Sequence, residues 1–383
     1  MPRLLILFTM CNLVVGTGAF VIGSMLQLVA AGLGTSVPAA GQAMTAYALA
    51  TAVLAPLVLL ATGRWPRKRV LLVSMGLFAA GNAVCALSQA LPMLLAGRVL
   101  MGVGAVFTPV AAGIAVASVP PAQTGKALAF VFLGISLSYV VGLPLGSWLG
   151  LQYGWHAPIW VVTGAALVAL AALAWVVPAQ VNAPRASFAG LGDLLRGRTV
   201  RATLGLTLLY FTAIFSVFSY IGPVLQALVP MGGVQMSLTL MLFGLSGVAG
   251  TLVGGWANDR FGAPRTLRVQ LGLLASMMVA VPLTQGHYLL MVAAFIVWGT
   301  AGFGMMAPQQ SRLASLSPQQ ATLLLSLNTS MLYLGTAAGA IVGGAALGVL
   351  GMASLAWAGL PFALLGFAAL RLSLKAGPRR AAA

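Results

Sequence analysis

Twelve apolar runs divide this chain, and the gaps between them carry Lys and Arg only every second time. The runs lie at 4–30, 39–62, 70–90, 93–118, 126–150, 157–178, 202–226, 236–257, 266–285, 288–311, 320–348 and 353–374. A bilayer-crossing helix needs about 20 mostly apolar residues, and each run supplies them. Along the chain the cations are Arg3; Arg64, Arg67, Lys68 and Arg69; Lys126; Arg185, Arg196, Arg198 and Arg201; Arg260, Arg265 and Arg268; Arg312; and Arg371, Lys375, Arg379 and Arg380. The intervening gaps hold none, and only Arg98, inside a run, breaks the pattern. Short cytoplasmic loops keep an excess of Lys and Arg, so this alternation predicts an even span count with both termini in the cytoplasm. Backbone polar groups in lipid need partners within their own segment, so the runs are predicted to be helices. They lack the two-residue alternation of barrel strands.

Composition excludes the soluble classes. Hydrophobic residues make up 61% of the chain and charged residues 5%, too few charges for a water-facing surface. A net charge of +17 invites a nucleic-acid reading. The cations instead form short clusters between long apolar stretches, with no basic face, so anionic lipid headgroups are the expected contact and nucleic acid is not. Cys11 and Cys85 lie within runs without metal-type spacing, and read as small buried hydrophobes. Neither a metal nor a cofactor is expected. The run from Leu4 to about Leu33 is too long for a signal-peptide core and reads as a retained first span.

The longest gap, about 179–201, holds Pro184, Gly residues and four Arg. It reads as a cytoplasmic linker between six-helix halves at 1–178 and 202–383, with Leu191, Leu194 and Leu195 suited to a short interfacial helix. An internal repeat supports the halves: T-G-R-W-P-R-K-R at 62–69 follows the second run, and N-D-R-F-G-A-P-R at 258–265 follows the eighth. Parallel repeats of this kind are one recurring transporter design. Gly134, Gly142, Gly146 and Gly150 recur on the fifth run, and Gly335, Gly339 and Gly343 on the eleventh. Such rows permit close helix packing, or offer low-friction faces for sliding.

These residues resemble the major facilitator superfamily, specifically its twelve-span drug:H+ antiporter branch and the arabinose-efflux-permease-like and chloramphenicol-efflux subgroup. G-W-A-N-D-R-F-G-A-P-R at 255–265 is similar to the family's cytoplasmic loop motif, and R-V-L-M-G-V-G-A at 98–105 to its fourth-span motif. V-G-L-P-L-G-S-W-L-G at 141–150, with G-W-H at 154–156, resembles the fifth-span antiporter motif. W-G-T-A-G-F-G at 298–304, P-Q-Q-S-R at 308–312 and S-L-N-T-S at 326–330 resemble the subgroup's tenth and eleventh spans. The resemblance implies an all-α fold of twelve transmembrane helices in two pseudo-symmetric halves that rock about a midplane cavity.

The resemblance also places candidate residues. Those expected on cavity-lining helices are Asn12, Ala19, Tyr47, Arg98, Ser138, Tyr139, Tyr210, Phe211, Phe215, Trp298, Phe303, Asn328 and Tyr333. A cytoplasmic gate is expected from Arg64, Arg67, Arg69, Asp259, Arg260, Arg265 and Arg312, with Asp259 latching Arg312 or the start of the fifth span near Lys126, or else merely capping its loop. Gly63 stands where the first-half motif expects Asp, which makes the gate asymmetric. Gly142, Pro144 and Gly146 are the expected hinge. Arg98, about six residues into its run, is expected to face the cavity or to snorkel toward headgroups, since an unpaired intramembrane charge costs about 2.5–3.5 kcal/mol or more.

The departure from the family pattern is an absence. The subgroup usually has Glu in a G-T-x-E-F context, and this chain reads G-T-G-A-F at 16–20, with Ala19 at that place. Asp193 and Asp259 are its only carboxylates, and neither lies in a run. His156 and His287 fall at run junctions, where capping or interfacial roles are expected. The sequence therefore reads as a monomeric inner-membrane exporter of a small amphipathic or sugar-like solute, driven without an intramembrane carboxylate. The alternative is a non-transporting membrane sensor or partner protein on the same scaffold. No enzyme motif such as H-E-x-x-H or a Ser-His-acid set lies within the runs.

Overall fold

The computed structural model describes residues 2–120, 124–179, 191–317 and 320–375. Residues 180–190 of the expected linker, including Arg185, lie outside them, as do Arg379 and Arg380 and the side chains of Lys126, Asp193 and Lys375. The described residues form twelve helical spans: span 1 (Arg3–Ser24), span 2 (Val37–Ala61), span 3 (Arg67–Ala86), span 4 (Leu91–Ala117), span 5 (Ala127–Tyr153), span 6 (His156–Val176), span 7 (Arg198–Phe218), span 8 (Gly233–Phe261), span 9 (Ala263–Thr284), span 10 (Tyr288–Leu316), span 11 (Leu323–Leu350) and span 12 (Leu355–Leu374). Each has the length and mean hydropathy to cross a bilayer.

Two apolar runs are shorter helices than their composition predicts. The first breaks at Met25 and continues as a separate helix, Leu26–Gly32. The seventh breaks at Ser219–Tyr220 before the helix Ile221–Leu228. Hydropathy does not register such breaks, because the turn residues are themselves apolar or small. Leu191–Arg196 forms the short helix expected in the linker.

The chain forms two compact units. The first takes Met1–Ala186 with Ser219–Gln226 and Pro230–Gly244; the second takes Ser187–Phe218, Ala227–Val229 and Leu245–Ala383. In the first unit, spans 1 and 5 approach through the glycine row. A Cβ on Gly134 would overlap the backbone of Thr9 and Leu13, one on Gly142 the hydroxyl of Thr17, one on Gly146 the side chain of Val21, and one on Gly150 the sulfur of Met25. Gly16 returns the contact from span 1 onto Ser138. Span 4 packs likewise, with Gly97 on Gly81 and Cys85 of span 3 and Gly102 on Tyr47 and Ala50 of span 2. In the second unit, spans 7 and 11 repeat the design: Gly335 meets Leu208 and Phe211, and Gly339 meets Thr212 and Phe215. The rows serve backbone approach, the main source of helix association where lipid removes any hydrophobic drive.

The internal repeat is visible in the backbone. Gly154 (φ +85°) joins spans 5 and 6, and Gly351 (φ +71°), about half the chain later, joins spans 11 and 12 in the same conformation. Both glycines close a turn that a side chain would strain.

Two spans carry a π-helical turn, Ala50–Leu54 in span 2 and Ser138–Gly142 in span 5. In each, a proline follows two residues later, Pro56 and Pro144. Proline lacks an N–H and crowds the carbonyl four residues earlier, and a widened turn accommodates both effects. Gly142 thus ends a π turn with Pro144 just beyond it, while Gly146 packs on Val21.

Gly134→Ala is expected to destabilise the protein by about 1–3 kcal/mol, since the new methyl meets backbone that cannot rotate away. Gly164→Ala in span 6, where nothing lies within 4 Å of the added atom, is expected to change stability by less than about 0.5 kcal/mol. Melting of the two variants in the same detergent checks the contrast.

Candidate functional site

Arg98 is the most fully coordinated side chain among the candidates. It is completely buried in span 4, so it does not snorkel. Its Nε donates to the carbonyl of Ala43 at 3.0 Å, and its Nη1 to Gly18 at 2.7 Å and to the sulfur of Met101 at 3.8 Å. Its Nη2 donates to the carbonyl of Ala19 and to the sulfur of Met44 at 3.6 Å. A guanidinium has five N–H groups, and each finds an acceptor here without any anion. Its carbon also lies 4.7 Å from the centroid of the Tyr47 ring, a cation–π contact strengthened by the absence of water. Arg98, Tyr47 and the Ala19 backbone therefore form one cluster tying span 4 to spans 1 and 2. The Ala19 position serves through its carbonyl, a role independent of the side chain there.

A second cluster in this unit is neutral. Asn12, fully buried in span 1, donates to the carbonyl of Val131 in span 5 at 2.9 Å and accepts from Thr108 of span 4 at 2.7 Å. On the π turn of span 5, the Ser138 hydroxyl donates to the carbonyl of Ile135 at 2.7 Å. Tyr139 beside it stacks on Phe20 of span 1, with centroids 5.2 Å apart.

The second unit holds a matching polar cluster on spans 7, 10 and 11. Gln309 donates through Nε2 to the carbonyl of Thr203 at 2.6 Å and to the hydroxyl of Thr207 at 2.8 Å. Thr207 in turn donates to the Asn328 side chain at 2.6 Å. Thr207 follows Asn12 by about half the chain, as Gln309 follows Thr108, so both units join their equivalent spans by the same device. Thr108, Thr207 and Gln309 were not among the expected residues. Single threonines are too common in apolar helices to stand out, and Gln309 was visible only within the P-Q-Q-S-R motif.

The aromatic candidates of this unit are mostly buried in its packing. Tyr210 is buried and donates to the carbonyl of Ala301 at 2.6 Å. Phe211 and Phe215 stack with centroids 6.1 Å apart, and Trp298 meets Phe295 edge-on at 5.2 Å. Phe303 and Tyr333 are half-buried, and Phe303 lies over Gly247.

Among the gate candidates, Arg312 and Asp259 take separate partners. Arg312 is buried in span 10 and donates to the Ser373 hydroxyl of span 12 at 2.7 Å. Asp259 is exposed and accepts from its neighbour Asn258 at 3.3 Å. The expected Asp259–Arg312 latch is therefore not formed here, because Arg312 turns into the helix packing instead of toward the loop. Arg64, Arg260 and Arg265 are exposed, Arg67 is buried, and Arg69 lies 4.8 Å from the Trp65 ring. Beside them Lys68, outside the expected gate, donates to the Ala174 carbonyl at 2.6 Å, near the C-terminal end of span 6, where carbonyls favour a cation.

Arg98→Lys is expected to cost about 1–3 kcal/mol, because an ammonium cannot serve the three carbonyls in a fork while stacking on Tyr47. A double-mutant cycle of Thr207→Val and Asn328→Leu is expected to give a coupling of about 0.6–1.7 kcal/mol, the range for hydrogen bonds between membrane helices. Denaturation of each variant in micelles measures both quantities.

A family model described as Major Facilitator Superfamily matches residues 8–322. A chloramphenicol resistance protein of Streptomyces lividans is 32% identical over 351 residues, covering 89% of this chain and 88% of that protein. It is consistent with the drug-efflux-like branch that the motifs resemble. The inner membrane transport protein YdhP of Escherichia coli (strain K12) is 30% identical over 333 residues, covering 86% of this chain and 85% of that protein. Among solved structures, a bacterial homologue of the human lysosomal transporter Spinster, inward-facing and unoccupied, superposes with a TM-score of 0.81 at 16% identity, covering 99% of this chain and 98% of the other. A D-xylose–proton symporter gives 0.75 at 16% identity, covering 95% and 97%. Likeness at such identity speaks for the fold alone. Twelve spans, a family match over most of the length and transporter relatives along nearly the whole chain lead to one conclusion: this multi-pass inner-membrane protein is a transporter and belongs to the Major Facilitator Superfamily.

Proposed function

We propose that this transporter exports a small amphipathic or sugar-like solute by alternating access, without an intramembrane carboxylate as proton carrier. The observation that carries the reading is the charge inventory of the spans. The only acid in any of them is Asp259, exposed two residues from the end of span 8, and Ala19 stands where the resembling subgroup carries Glu. Carboxylates with raised pKa values are the usual proton carriers inside membranes, so coupling here runs through substrate or ion exchange, or transport is facilitative. The spans offer neutral polar groups and aromatic rings instead, which suit planar or amphipathic molecules. The chloramphenicol resistance protein of Streptomyces lividans supports the outward direction, since export is one way a membrane protein can confer resistance. The alternation of Lys and Arg supports cytoplasmic termini, and the protein works as a monomer.

Phe303 and Tyr333, half-buried within their unit, are assigned to substrate contact. A thermal-shift screen on purified protein supplies ligands, because a bound ligand raises apparent stability with its concentration. For a hit, Phe303→Ala and Tyr333→Ala are expected to weaken affinity about 2- to 10-fold, the size of one aromatic contact. In proteoliposomes the hit is expected to equilibrate across the membrane whatever pH gradient is imposed. Strong accumulation driven by that gradient would overturn the carboxylate-free reading, and binding without flux would overturn export.

A further inference from the structure

A groove of about 670 Å³ runs along the C-terminal part of span 12. Among the described residues it is lined by Leu364, Phe367, Ala368, Arg371 and Leu372. Their spacing places them on one stripe of a helix. The stripe is apolar until its last turn, where Arg371 is exposed. Leu364 and Leu372 are 54% and 62% exposed on a membrane-spanning helix, so the environment this face meets is hydrocarbon. Arg371 stands three residues from the end of the span, at the depth where hydrocarbon gives way to headgroups.

Charge decides what Arg371 takes as a partner. The chain has 19 Lys and Arg against 2 Asp and Glu, so nearly every cation must find its anion outside the protein. A second guanidinium sits at the same helix end. Arg312 of span 10 is 8% exposed and bonded to Ser373, and its Nη1 has no hydrogen-bond partner among the described residues. Arg312 thus occupies the buried face of span 12, and the exposed Arg371 is left above the apolar stripe, an arrangement that matches a molecule with a phosphate at one end and a hydrocarbon tail at the other.

We propose that this end of span 12 binds an anionic phospholipid, with the phosphate on Arg371 and one acyl chain in the groove beside Phe367. The guanidinium presents paired N–H donors to the phosphate oxygens. The stripe of Leu364, Phe367, Ala368 and Leu372 accounts for the tail, which a soluble anion would leave uncovered. The site lies on the lipid-facing side of one helix, apart from the residues assigned to substrate, and its occupancy is independent of what the protein transports.

The test compares melting of the full-length protein in nanodiscs of phosphatidylcholine with and without phosphatidylglycerol, together with native mass spectrometry of retained lipid. The anionic lipid is expected to raise the melting temperature by ~2 °C or more and to leave one bound molecule. Arg371→Gln is expected to abolish both effects. Ala368→Trp, which fills the groove but keeps the cation, is expected to abolish retention, while Arg3→Gln leaves both effects in place. Inorganic phosphate added to phosphatidylcholine discs is expected to give no shift. The proposal is overturned if Arg371→Gln responds like the parent, if Arg3→Gln loses the response equally, or if phosphate alone reproduces it.

Discussion

Lipid offers no hydrogen-bond partner, and that constraint organises this structure from the backbone outward. Helices satisfy their own main chain, so what remains is the set of side chains that carry donors and acceptors into the hydrocarbon. Arg98 is the severe case, because no acid lies within reach to neutralise it: the one acid in a span, Asp259, is exposed at the end of span 8. The solution is to surround the cation with dipoles: three carbonyls, two thioethers and the face of Tyr47. A carbonyl already bonded within its helix has a second lone pair, so spans 1 and 2 provide acceptors without giving up their own ladders. The charge thereby becomes a tie between three helices.

Close approach makes such ties possible. Carbonyls of spans 1 and 2 come within reach of span 4 because glycines let the helices nest, Gly102 against Tyr47 and Ala50 among them. The same logic holds for the neutral clusters. Thr108, Asn12 and Val131 join spans 4, 1 and 5 where Gly134 brings spans 1 and 5 together. Gln309, Thr207 and Asn328 join spans 10, 7 and 11 beneath the contact of Gly335 with span 7. Two halves descended from one pattern thus keep the arrangement while exchanging Asn, Thr and Gln among its positions. A hydrogen bond needs a donor opposite an acceptor, and several residue pairs meet that need.

The positions that mislead a reader of the sequence share a cause. Hydropathy averages over a window, so it finds Leu26–Gly32 and Ile221–Leu228 as continuations of spans 1 and 7, although each is a separate helix. A basic residue near a loop motif reads as a gate element, yet Arg312 is one turn inside span 10 and turns to Ser373. Direction around a helix is invisible to a motif match. By contrast, the glycine rows on spans 5 and 11 were legible as close-packing faces, since backbone approach depends on the residue that lacks a side chain.

The sequence alone determined the membrane class, the twelve spans, the two related halves and the absence of acid from the hydrocarbon. All of these follow from composition and spacing along one dimension, because transfer into lipid is a property of each segment by itself. Tertiary structure alone decided which polar residues meet. It buried Arg98 among carbonyls, assembled Gln309 with Thr207 and Asn328, kept Asp259 from Arg312, and opened a groove beside Arg371. Those outcomes depend on helix rotation and depth, which neighbouring helices set through packing across the fold and no single segment encodes.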